Sequence, residues 1–283
     1  MKDLGRTIVL LTVVLGSALS SSAQSVTSKG SDFLVGLGQK WAAAYGPRHP
    51  GVKVQVEGGG AVAAFAALRE HQANLATVCR LMRYKEAEAC ESALGRRPAE
   101  YKVGVNGVAV YVNANNPVKV LTYDELGGIF RGQYGNWKEL GGLDAPITLY
   151  GQPTNSAAGE LFGEEILNGK DCAAGLRTLG AAELLKAIAT DRNGIGYGPL
   201  LPAQGLRALG IKRAFSSTPV EPTEEAIANR IYPIARYLYI YVDPAAYQGA
   251  LKAYVDWIRS DEGQEIVKAA GFYPLPAKFR SRP

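Results

Sequence analysis

The run Val56-Glu57-Gly58-Gly59-Gly60-Ala61-Val62-Ala63-Ala64-Phe65 constrains the fold more than any other part of the chain. The segment before it, Val52 to Val56, is β-branched at alternate positions and reads as a strand; an Ala-rich helix follows the glycines. Glycine permits the sharp reversal between the two and removes the Cβ atoms that keep a ligand off the backbone. The helix start presents unpaired N–H groups and the positive end of the helix dipole. Such a junction serves as an anion seat or simply as a turn. Segments at Ser31 and Ser156 begin helices in a similar way.

Strand and helix patterns alternate along the whole chain, which predicts an α/β protein. Ser31 reads as an N-cap, followed by Phe33, Leu34, Leu37, Trp41 and Tyr45 on one helical face. Leu75 to Val78 reads as a short strand, Tyr84 to Ser92 as a polar helix, and Val103 to Val112 as a buried strand near a crossover. Thr122 and Glu125 have capping-box spacing for a helix reaching Phe130. Ile147 to Tyr150 and Ile195 to Tyr197 read as strands, Ala181 to Thr190 as a helix, and Val220 to Pro222 as a connector. Tyr232 to Val242 is a long β-rich run, on which Tyr237, Tyr239 and Tyr241 share one face. Two helices end the chain. With no sheet of their own, they are expected to pack back on the N-terminal part. That gives a discontinuous lobe, 24–110 plus 220–283, and an inserted lobe, 111–219, with a cleft between them.

The first 23 residues read as an export signal: Lys2 and Arg6, then the apolar run Ile8 to Leu15, then the small residues Ser21-Ser22-Ala23. The apolar run is short for a membrane span, and no cysteine stands at the cut to carry a lipid. The expected location is periplasmic or secreted. Removing this segment takes the formal charge from +5 to about +4. Lys and Arg are scattered and form no stripe with interleaved aromatics, so nucleic acid is not an expected partner. Cys79 and Cys90 lie close enough to close a short disulfide loop, or remain separate thiols, and Cys172 is left over. The two histidines, His49 and His71, sit in no metal or nucleophile motif. There is no Gly-x-Ser-x-Gly elbow and no Ser/His/Asp set, so neither an enzyme nor a cofactor is expected.

Several motifs together resemble the PstS-like family, the phosphate-binding solute receptors of bacterial phosphate ABC transporters. They are Lys29-Gly30-Ser31-Asp32, Gly58-Gly59-Gly60, Cys79-Arg80-Leu81-Met82 and Asn106-Gly107-Val108-Ala109-Val110. Leu121-Thr122, Ile129-Phe130-x-Gly132 and Asn136-Trp137-x-Glu139-Leu140-Gly141-Gly142 form the most specific stretch, and Tyr232-Pro233-Ile234-Ala235-Arg236-x-Leu238-Tyr239 continues the match toward Gly271-Phe272-Tyr273-Pro274. The resemblance covers nearly the whole chain after the leader. It implies a two-lobe, type II periplasmic-binding-protein (Venus-flytrap) fold with crossing hinge strands, a monomer that closes over inorganic phosphate or a similar oxyanion and serves an ABC transporter permease in the inner membrane.

Carried onto this chain, the family pattern marks Ser31, Asp32, Gly60, Ala61, Arg80, Gln152, Ser156, Ala157 and Ala158 as ligand-loop positions. The chemistry departs from the pattern here. Ala61 stands where the family has Ser, Gln152 where it has Arg, and Ser156-Ala157-Ala158 where it has Ser-Gly-Thr; Asn106 replaces Asp. Losing one charge-assisted contact and two hydroxyl donors costs about 3–6 kcal/mol, roughly two to four decades of affinity. Arg80 either replaces the missing charge or forms a salt bridge. Ser31 is expected both to cap and to donate, and Ser156 to donate or only to cap. Gln152 is a neutral donor or inert. Asp32 accepts from a protonated oxyanion or offsets the helix dipole. A second reading is a non-transport interaction or sensory protein on the receptor fold, its ligand site degenerate.

Overall fold

The computed structural model describes residues 24–202 and 204–280. The expected export signal, 1–23, lies outside the described residues.

Two five-stranded sheets organise the chain. The first begins with β1 (Gln24–Gly30), helix α1 (Val35–Tyr45), β2 (Val52–Glu57), α2 (Gly60–Arg69), β3 (Leu75–Val78), α3 (Tyr84–Leu94) and β4 (Ala99–Gly107). The second contains β5 (Ala109–Asn113), followed by β6 (Val120–Thr122), α4 (Tyr123–Phe130), β7 (Thr148–Gly151), α5 (Ala157–Glu165), β8 (Arg177–Thr178), α6 (Ala181–Thr190), β9 (Gly194–Gly198), β10 (Leu206–Ala208) and β11 (Gly210–Lys212). Helix α7 (Glu224–Ala228) leads back into β12 (Ala235–Val242), and α8 (Gly249–Arg259) and α9 (Asp261–Ala269) follow. The first sheet runs β2-β1-β3-β12-β4, the second β10-β5-β9-β7-β8, and β11 pairs with β6 alone.

The chain crosses between the sheets twice, and the crossings lie side by side. Only Val108 separates β4 from β5, and its N–H donates to the Ile234 carbonyl at 3.0 Å, just before β12. β12 then runs antiparallel to β4, with Arg236 opposite Asn106. Ile227, Tyr232 and Ile234 of the returning segment belong to the core of the second sheet. These are the expected crossing strands; sheet membership changes at 107–109 and at 234–235.

Each sheet has a core, and that of the second also takes in Val105, Ala235, Tyr273 and Leu275 beside the crossings. In the second, Phe162 stacks on Tyr197 with ring centroids 3.8 Å apart, and Phe130 meets both edge-on. In the first, α8 and α9 pack against α1 as expected: Tyr45 meets Tyr254 and Trp257 at 4.9 and 5.2 Å, and Trp41 Nε1 donates to the Gly263 carbonyl at 3.0 Å. Trp41 and Trp137 are buried core residues. Tyr237, Tyr239 and Tyr241 do share a face, each 6.1 Å from the next.

Local signals explain the element ends. Thr122 caps α4 by accepting from the Glu125 N–H at 3.1 Å, and Glu125 returns the bond to the Thr122 N–H at 2.7 Å. Of the two readings of Cys79 and Cys90, a bridge or separate thiols, the structure takes the second: both are free. Cys90 lies inside α3 and points at the Phe65 carbonyl, while Cys79 directly follows β3 and points toward Ser31 and Glu160. Short sequence separation does not bring together side chains that a strand end and a helix direct apart.

Candidate functional site

Parallel strands β2, β1 and β3 lie side by side, and the loops after all three meet at one end of the sheet. This is the carboxyl-end position where open α/β sheets bind ligands. The β1 loop is pinned by Ser31, whose N–H donates to the Thr77 carbonyl at 3.0 Å. Gly30 passes so close to the same carbonyl that a Cβ there would stand 2.0 Å from its oxygen. The β2 loop carries Gly59 and Gly60 at φ of +114° and +81°, left-handed values that glycine tolerates best. Asp32 ties these two loops together, its Oδ1 accepting the Gly59 N–H at 2.7 Å. Asp32 is therefore bound to a backbone donor. A Cβ at Gly58 would lie 2.2 Å from that oxygen, so the link requires glycine there.

Ser31 is not the expected side-chain cap. It occupies the N-cap position of a short 3₁₀ turn, Asp32–Leu34, but makes no side-chain cap bond. Its hydroxyl is buried and faces the Cys79 thiol at 3.7 Å.

A cavity of about 190 Å³ opens between these loops and α5. Ser31, Asp32, Gly60, Ala61 and Arg80 line one side; Glu160 and Glu164 of α5 line the other. The expected residues thus divide. Ser31, Asp32, Gly60, Ala61 and Arg80 converge, whereas Gln152, Ser156, Ala157 and Ala158 are not on the cavity wall. Gln152 is buried, and its carbonyl accepts from the Tyr197 hydroxyl at 3.4 Å. Ser156 caps α5, accepting from Gly159 N–H at 3.0 Å. Ala157 packs against the core of the first sheet and Ala158 against that of the second.

Arg80 takes the salt-bridge role. Both of its terminal nitrogens bind Glu86, each at 2.7 Å, and the guanidinium lies 5.4 Å from the Phe65 ring centre. The same bonds hold the Glu86 carboxyl below the usual carboxylate range. Burial pushes the Cys79 thiol up to about 12, so it stays protonated. A proton is thus available for Glu160, which accepts from Cys79 Sγ at 3.2 Å.

Three participants escape a reading of the sequence: Glu160, Glu164 and Arg236. Arg236 of β12 donates to Glu160 at 3.3 Å and also pairs with Glu164. The one local signal is the spacing of Ala157, Glu160 and Glu164, which places them on one face of a helix. Their partners are 51 to 81 residues away. Among the described residues, no group of three or more His, Cys, Asp or Glu is placed to hold a metal ion, and no helix is long and apolar enough to cross a membrane.

A thiol titration checks this arrangement. In denaturant without reductant, all three cysteines are expected to react. In the folded protein Cys79 and Cys90 stay silent, because both are buried with their thiols pushed up by desolvation. A single reactive thiol in denaturant, rising to three on reduction, would restore the disulfide.

Comparison with other proteins gives concordant matches. A family model described as a PBP superfamily domain matches residues 16–262. The phosphate-binding protein PstS of Pseudomonas aeruginosa is 30% identical, across 93% of this chain and 87% of that protein. The fold is similar to that of a possible phosphate binding protein from Planctomyces limnophilus, with a TM-score of 0.81 and 24% identity over 91% of this chain and 95% of the other. It is also similar to PstS from Borrelia burgdorferi, with a TM-score of 0.74 and 22% identity over 89% and 99% of the two chains.

Proposed function

The chain belongs to the PBP superfamily and, within it, to the PstS-like solute receptors, and from that premise we propose that it captures a small oxyanion, inorganic phosphate first, for an ABC importer. The observation that carries the reading is the convergence of the Ser31–Asp32 loop and the start of α2 on one cavity between the two sheets. The first N–H groups of α2 have no partner within the helix and favour an anion. Ligand entry and release take place by hinge motion about the paired crossings at Val108 and Ile234. The protein acts outside the cytoplasm after loss of its leader, binds without transforming its ligand, and delivers it to a membrane permease as a monomer.

The test is calorimetric titration of protein stripped of phosphate by unfolding and refolding. One binding event per chain is expected. Phosphate at a hundred times its Kd should also raise the unfolding free energy by about 2.7 kcal/mol. Absence of both heat and thermal shift with phosphate, arsenate, sulfate and molybdate would remove the proposal.

A specific observation favours the second reading, a receptor fold without transport. Ala61 offers no hydroxyl, and two carboxylates, Glu160 and Glu164, stand on the cavity wall where an anion would sit. Silence toward every oxyanion in the same titration would select it.

A further inference from the structure

We propose that the face of α5 bearing Ala157, Glu160 and Glu164 is a latch that holds the cleft shut when no ligand is present. The inference concerns regulation of the site described above and rests on the receptor reading only for what enters the cleft.

The latch is one-directional in its chemistry. All the acceptors lie on α5: the Ala157 carbonyl and the two carboxylates. All the donors lie on, or one residue beyond, three adjacent strands of the first sheet, β3, β12 and β4. Cys79, just after β3, donates to Glu160 at 3.2 Å. Arg236 of β12 donates to Glu160 at 3.3 Å and pairs with Glu164 through its other terminal nitrogen. Asn106 of β4 donates to the Ala157 carbonyl at 2.8 Å, and it stands opposite Arg236 in the strand register. Positions 157, 160 and 164 fall on one helical face, so a single rigid element meets all three strands together.

With α5 docked, the two sides of the latch are unequally buried. The Arg236 side chain is 7% exposed, against 31% for Glu160 and 49% for Glu164. The carboxylates keep part of their hydration whether or not α5 is docked. Arg236 is recessed in the first sheet, beneath Phe33, whose ring centre lies 5.8 Å from the guanidinium carbon. Drawing α5 away removes both of its carboxylate partners at once. Opening exchanges these charge-assisted bonds, made together by one rigid helix, for water, and the small net gain of the paired contacts biases the hinge toward closure. In a receptor whose lobes are bridged only by the ligand, an empty cleft has no such bias. Here the helix supplies its own anionic groups to the opposite lobe, and they also form part of the cavity wall.

Small-angle scattering of the phosphate-stripped protein tests this. A compact chain of this size has a radius of gyration of about 18 Å, and the stripped wild type is expected near that value. Stripped Glu160→Ala/Glu164→Ala should be measurably larger, its closed-to-open ratio shifted at least about tenfold toward open. Arg236→Met removes the pairing from the other side and should expand the protein likewise, so that misfolding of one variant, detected by circular dichroism, leaves the other to decide. A folded variant as compact as the wild type would overturn the proposal. Because the comparison is made without ligand, its failure is separate from a failure to bind phosphate.

Discussion

Gly30→Ala is expected to destabilise the protein by about 3 kcal/mol and to abolish ligand capture together with it. The new Cβ would stand 2.0 Å from the Thr77 oxygen and 3.0 Å from its carbonyl carbon. Both are backbone atoms of the neighbouring strand, so no side chain can swing aside. Overpacking of this kind costs about 1–3 kcal/mol. To relieve it, β1 must move away from β3, and the Ser31 N–H then leaves the Thr77 carbonyl it meets at 3.0 Å. A buried hydrogen bond lost in this way adds about 1 kcal/mol. The same displacement carries Ser31 and Asp32 off the cavity wall and loosens the Asp32–Gly59 link that shapes the glycine turn. Urea unfolding should show a lower midpoint at an unchanged slope, and phosphate titration of the folded fraction should show no heat. A midpoint within error of the wild type would mean that β1 and β3 are further apart than described.

The contrast between Ser31 and Thr122 shows what a sequence of this kind discloses. Both are hydroxyl residues ahead of a helical pattern. Thr122 caps because its partner, Glu125, is three residues away, and the whole motif is local. Ser31 turns its hydroxyl toward Cys79, 48 residues further on, because β1 and β3 are neighbours. Helix α6 and the end of α4 were legible for the same reason as Thr122, namely periodicity and caps inside one segment. Strands β10 and β11, three residues each, and the five-residue α7 are too short to show a period. The site divides along the same line. Its glycine turn is legible, because the turn needs Gly59 and Gly60 at positive φ. Its charges are not. Arg80 was a candidate ligand group until its partner, Glu86, appeared on the following helix. Beyond their helical spacing, Glu160 and Glu164 carry no signal in the sequence, because the residue that gives them a role, Arg236 of β12, lies 72 to 76 residues further on. The family resemblance could not supply them either, since they fall between its motifs.

Trp41→Ala has the largest expected effect on stability, about 4 kcal/mol. Truncating a buried Trp costs about 3–5 kcal/mol through lost transfer energy and the cavity left behind. Trp41 is almost wholly buried within the core of the first sheet. Its indole N–H is satisfied by the Gly263 carbonyl, 222 residues away, so the side chain joins the first helix of the chain to the last. That join is what closes the first lobe, since α8 and α9 reach it only after the chain has built the second sheet and returned. Loss of about 4 kcal/mol is a large part of the 5–15 kcal/mol typical of folded domains and corresponds to a fall in Tm of about 10 °C for a chain of this size. Trp41→Phe, which keeps most of the volume and loses only the donor, should cost about 1–2 kcal/mol. Hydrogen exchange adds a local readout: amides of α8 and α9 should lose protection in Trp41→Ala before those of the second sheet do, because their docking surface is what the truncation removes. Uniform loss of protection across both sheets would instead mean that the two lobes unfold as one cooperative unit, and that the C-terminal helices are held by the crossings rather than by α1.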